Sequence, residues 1–73
     1  MASTEVVAPT AGLVVQVNVT EGQSVQAGET VVVVQSMKTE ISVTADVAGT
    51  VSKIHVKKDD EVNIGQVLVE IES

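Results

Sequence analysis

Few residues in this chain have side chains able to do covalent chemistry, and the most conspicuous stand together. In Gln35-Ser36-Met37-Lys38-Thr39-Glu40-Ile41 a thioether and a primary amine separate two β-prone runs, Val31–Val34 and Ile41–Thr44. A short link between two such runs ordinarily uses Asn-Gly or Asp-Gly, whose backbones accept the required dihedrals. Here the same place is given to Met37 and Lys38. An amine at the link between two strands is where a group could be attached and swung freely, although lysine is overwhelmingly protonated at neutral pH. Met37 offers soft, adaptable contact area beside it.

The other reactive groups form no comparable set. His55 has no Cys, second His or serine-and-acid companion, so it reads as an exposed residue without a catalytic or metal role. Asp59-Asp60-Glu61 lacks the alternating oxygen ligands of a calcium loop and reads as a solvated turn. Lys53, Lys57 and Lys58 read as solvated lysines on or beside an outward strand face, and Glu40 as a charged strand start. No nucleophile–base pair can be assembled, which leaves free-standing catalysis without support.

The elements that must hold Lys38 follow from composition and repetition. At 73 residues the chain has room for a single small domain spanning 1–73. It contains no Cys to cross-link it and a single His, so packing alone must stabilise it. Eighteen Val, four Ile and two Leu, with no aromatic residue, describe a β-branched core suited to pleated strands. Ten carboxylates against four lysines make the chain acidic, which argues against nucleic acid as a partner. No apolar run approaches the roughly 20 residues of a membrane span, so no membrane insertion is expected. The start Met1–Glu5 carries no basic segment followed by an apolar one, and the expected location is cytoplasmic.

Sliding the chain on itself by 37 positions carries Gly12 onto Gly49 and Gly28 onto Gly65 without a gap. Ten identities result over residues 6–36, including Val6 with Val43, Ala8 with Ala45 and Val25 with Val62. The chain is thus one half written twice, about 6–36 and 43–73, with a junction at 37–42. Each copy predicts four short strands. The first has Glu5–Ala8, Gly12–Thr20, Ser24–Gln26 and Thr30–Gln35; the second has Glu40–Thr44, Gly49–Val56, Glu61–Asn63 and Val67–Glu72. Alternation sets Leu13, Val15, Val17 and Val19 on an apolar face against Val14, Gln16, Asn18 and Thr20, and helical spacing is absent. The expected fold is all-β: a flattened barrel or sandwich of two four-stranded antiparallel sheets, the halves facing each other about a pseudo-two-fold axis. That symmetry predicts Lys38 at one tip of the body and the chain ends near the other.

With these residues in place, Ala8-Pro9-x-Ala11-Gly12, Val17-x-Val19-x-x-Gly22-x-x-Val25-x-x-Gly28, Ser36-Met37-Lys38 and the second Gly49…Gly65 copy resemble the biotinyl/lipoyl attachment domain over residues 6–72. Met37 before the lysine resembles the biotinyl branch, the biotin carboxyl carrier; the lipoyl branch commonly carries an acidic residue there. The ungapped repeat resembles carriers without a protruding extra loop. The resemblance implies a non-catalytic carrier. A biotin protein ligase would acylate Lys38, forming an amide to biotin, with Ser36, Met37 and Thr39 as flanking recognition residues. Carboxybiotin would then pass between a biotin carboxylase and a carboxyltransferase or decarboxylase site. Thr39 stands where biotinyl domains most often have Met or Leu, and Asp59 where Gly22 would repeat. Alternatives are a lipoyl carrier of a 2-oxoacid dehydrogenase-type complex and an unmodified structural or adaptor barrel.

Overall fold

The computed structural model describes residues 3–73; part of the Met1–Glu5 reading lies outside them. Eight strands follow in order: β1 Ser3–Val7, β2 Gly12–Val17, β3 Ser24–Val25, β4 Thr30–Ser36, β5 Thr39–Thr44, β6 Gly49–Ile54, β7 Glu61–Val62 and β8 Val67–Glu72. They form two four-stranded antiparallel sheets, ordered β1-β8-β6-β3 and β5-β4-β2-β7, as the composition and repeat predict. The described residues contain no helix.

Each sheet draws two strands from each repeat, so the halves interlock; neither forms a layer of its own. The cause lies after β2 and β6. Asn18 donates its N–H to the Val31 carbonyl at 2.8 Å, the last bond to β4, and the chain then crosses so that Ser24 pairs with Thr50 in the opposite sheet. His55 repeats this with Leu68, also at 2.8 Å, before Glu61 pairs with Leu13. The crossings explain why both strands stop short of the predicted Thr20 and Val56.

The turns repeat as faithfully as the strands. Gly22 and Asp59 both have positive φ, 90° and 78°, as do Gly28 and Gly65, 88° and 82°. Asp is among the few side chains that enter this region at modest cost, which is how Asp59 replaces the glycine of the first copy. Gln23 Oε1 accepts from the Thr20 N–H at 3.1 Å, and Asp60 Oδ2 accepts from the Lys57 N–H at 2.9 Å, at matching positions.

One part of the alternation is reversed. Val14 is fully buried and Leu13 is exposed, the opposite of the face assigned from sequence. The register slips between Val14 and Gln16, a bulge at Val15 that resets the pleat, and an equal slip lies between Val51 and Lys53. The core is almost wholly aliphatic: Val14, Val31, Val32, Val34, Leu68, Val69 and Ile71 are fully buried, and the repeat-related Ala8 and Ala45 are buried with them. Each buried valine contributes on the order of 2 kcal/mol of transfer free energy. No buried side-chain polar atom among the described residues lacks a partner.

Candidate functional site

The link between the repeats is as short as a hairpin allows. Ser36 pairs with Thr39 and Gln35 with Glu40, leaving Met37 and Lys38 alone as the connection from β4 to β5. A two-residue loop between right-twisted strands needs positive φ at its first position, and Met37 supplies it at 56°, while Lys38 does not share it. Glycine is the usual occupant of such a place. Holding a side chain there costs on the order of 1 kcal/mol, and the result is a methionine that is 95% exposed. The requirement was latent in the sequence, because two residues between paired strands leave few other conformations.

Lys38 and Thr39 are exposed and Ser36 is half-buried. Among the described residues the recorded ion pair is His55 with Glu70, on the other sheet, so the Lys38 amine is not held by a carboxylate. The structure therefore brings Ser36, Met37, Lys38 and Thr39 together at one apex, with the amine open to solvent. Glu40 is exposed one step down β5.

A well-packed base lies under this exposed group. Strand β4 is central, flanked by β5 and β2, and Val34 just below the turn is fully buried. Gly12, opening β2, passes so close to β4 that a Cβ there would strike the Gln35 carbonyl oxygen and come within 2.8 Å of Val34 Cγ1. Glycine at position 12 is thus a packing requirement, beyond the repeat marker that sequence alone made of it. Beside the hairpin, Leu13, Met37, Val62 and Asn63 help line an open cleft of about 540 Å³.

The body measures 36 × 17 × 17 Å. A seven-residue strand such as β4 covers only roughly 23 Å at about 3.3 Å per residue, so no single strand runs the length of the body. Gly12, Gln35 and Val62 gather at the end that carries Lys38, while Gly49, Glu72 and Val25 gather at the other. Glu72 pairs with Ser3 there, which places the described chain ends away from the amine.

The remaining candidates are structural. His55 is exposed and donates through Nε2 to the Glu70 carboxylate, a contact sequence did not reveal because its partner lies on a strand 15 residues away. No group of three or more metal-ligating side chains exists among the described residues, Asp59-Asp60-Glu61 included. What the site can do chemically is present one exposed primary amine at a hairpin apex.

Comparisons with known proteins agree with this geometry. A family model described as Biotin_lipoyl, "Biotin-requiring enzyme", matches residues 4–71. The chain is 41% identical over 64 residues to the mitochondrial propionyl-CoA carboxylase alpha chain of Homo sapiens, covering 88% of this chain and 9% of that one. It is 39% identical over 61 residues to the biotin/lipoyl attachment protein of Bacillus subtilis, covering 84% of each. Among solved structures, the Kluyveromyces lactis urea carboxylase superposes with a TM-score of 0.91 at 29% identity, over 99% of this chain and 6% of that one. The chain thus spans about a tenth or less of the carboxylases it resembles and most of the small attachment protein.

Proposed function

Since the chain belongs to the biotin/lipoyl attachment family, we propose that it is a biotin carboxyl carrier whose Lys38 takes the cofactor as an amide. The observation that carries this reading is the placement of an unpaired lysine at the apex of a two-residue hairpin, preceded by a methionine forced outward by its own backbone. Carboxylase relatives favour biotin over lipoate.

In the attachment step a biotin protein ligase would present an activated acyl group, the adenylate of biotin. Lys38 Nζ, once deprotonated by the ligase, would attack the acyl carbon, forming the C–N bond as the C–O bond to AMP breaks and losing its second proton to solvent. The chain's part is to hold that nitrogen away from its own surface, so that the ligase's pocket can close around it. Met37, exposed beside the amine, offers the ligase soft apolar contact area, and Ser36 and Thr39 pair with each other to close the turn. One positive charge is lost, taking the formal net charge from −6 to −7.

Biotin, once attached, supplies a ureido nitrogen able to carry a carboxyl group between a biotin carboxylase and a carboxyl-accepting site. The protein contributes tethering: a cofactor on a fixed arm keeps a high effective concentration at both sites. Its own residues do no bond-making beyond the attachment.

Mass spectrometry after co-expression with a biotin protein ligase tests the assignment. Wild type should gain a single biotin, and Lys38→Ala none. A biotin adduct surviving in Lys38→Ala overturns the site, and a lipoyl adduct in its place, formed with a lipoyl-attaching enzyme, overturns the cofactor.

A further inference from the structure

Side chains that mild oxidants attack are almost absent from this chain. It contains no Cys, Trp or Tyr, and only two Met. Among the described residues Met37 is the one thioether, and the core is filled by Val, Leu, Ile and Ala instead. That thioether stands where an oxidant meets it first. Its residue is 95% exposed, with the positive φ of 56° described above. It belongs to the two-residue link closed by the Ser36–Thr39 pair, so no ladder partner covers it.

Position gives its oxidation a consequence. The Cα atoms of neighbours such as Met37 and Lys38 are about 3.8 Å apart. An active site that closes on the Lys38 amine must therefore cover the Met37 side chain as well. As a thioether, Met37 gives that site soft apolar contact. As a sulfoxide it is polar and chiral, and covering it strips water from a group that has lost its apolar fit. The fold itself is insulated. Val34 below the turn is fully buried, whereas the sulfur has no packing of its own to lose.

We propose that Met37 is a reversible oxidation site that gates the acylation of Lys38. A peroxide supplies the oxidant. The sulfur lone pair attacks one peroxide oxygen, the S–O bond forms and the O–O bond breaks. The departing hydroxide takes the proton left on the transferred oxygen and leaves as water. Sulfur loses two electrons and the peroxide gains them. The oxidised chain is then a poorer substrate for a biotin protein ligase until a methionine sulfoxide reductase removes the oxygen. This inference rests on Lys38 being the acylated residue.

The test treats the intact chain with hydrogen peroxide and separates Met37 from Met1 by peptide mass mapping. Met37 should gain one oxygen at a rate within about two-fold of that of free N-acetylmethionine, and a rate about ten-fold slower overturns the site. The oxidised chain should melt within about 1 °C of the untreated one, as a change confined to the surface does. Its KM for biotin transfer should rise about five-fold, with kcat within about two-fold. Methionine sulfoxide reductases acting on both epimers should restore KM. Met37→Leu has no sulfur at the turn, so its own KM, whatever its starting value, should not respond to peroxide. An unchanged KM after complete oxidation of Met37 overturns the gate. So does a rise that Met37→Leu shares, a rise that the reductases leave in place, or a matching loss of thermal stability. An untreated chain that takes no biotin removes the Lys38 reading and the gate with it, while the oxidation rate still decides the exposure of Met37.

Discussion

Gly12 lies against the backbone carbonyl of Gln35, with no room for a β-carbon between them. Gly49 stands in the same relation to Glu72 at the opposite end, where a Cβ would also come within 2.8 Å of Ile71 Cγ2. Alanine at either place must push a ladder strand aside, and urea denaturation should show a loss of about 3 kcal/mol for each. The functional outcomes differ. Gly12→Ala disturbs the base of the hairpin and should slow biotin transfer to Lys38, whereas folded Gly49→Ala should be modified at the wild-type rate. Equal rates for the two would mean that Gly12 does not position the turn.

Met37 trades stability for presentation. Replacing it with glycine removes the steric cost of φ 56° and raises the entropy of the unfolded chain, and the balance should favour the fold by up to about 1 kcal/mol. Thermal melting should rise slightly. Ligation should fall at the same time, because the exposed thioether is gone. A variant both less stable and equally well ligated would contradict this account of the residue.

The turns at Gly22 and Asp59 make a matched pair for measuring backbone strain. Both residues have positive φ, and nothing lies within 4 Å of a Cβ placed at Gly22. Gly22→Asp should therefore cost about 1 kcal/mol from conformation alone, and Asp59→Gly should recover a similar amount. Chemical denaturation of the two single variants checks this. A large loss in Gly22→Asp would indicate a clash that the backbone geometry does not contain.

Much of the fold was legible in the residues because its physics is local. The paired glycines, Gly12 with Gly49 and Gly28 with Gly65, mark places where a side chain would collide or where the backbone turns left-handed, so the repeat carried the architecture. Asp59 was readable for the same reason. The face assigned to Leu13 and Val14 was not, since a bulge at Val15 inverts the pleat without changing residue type. Interlocking was hidden too, because which strands pair depends on partners far along the chain. The Lys38 apex was predictable from its place at the junction. The His55–Glu70 contact emerged only when the end of β6 lay beside β8.

Strands exchanged between the repeats leave no plane along which the body can part. Bending one half away from the other would tear both ladders at once, so the molecule yields as a unit or not at all. Whatever distance a cofactor on Lys38 had to travel would then be covered by the lysine side chain and by translation of the entire barrel, in the manner of a stiff rod with a flexible fingertip.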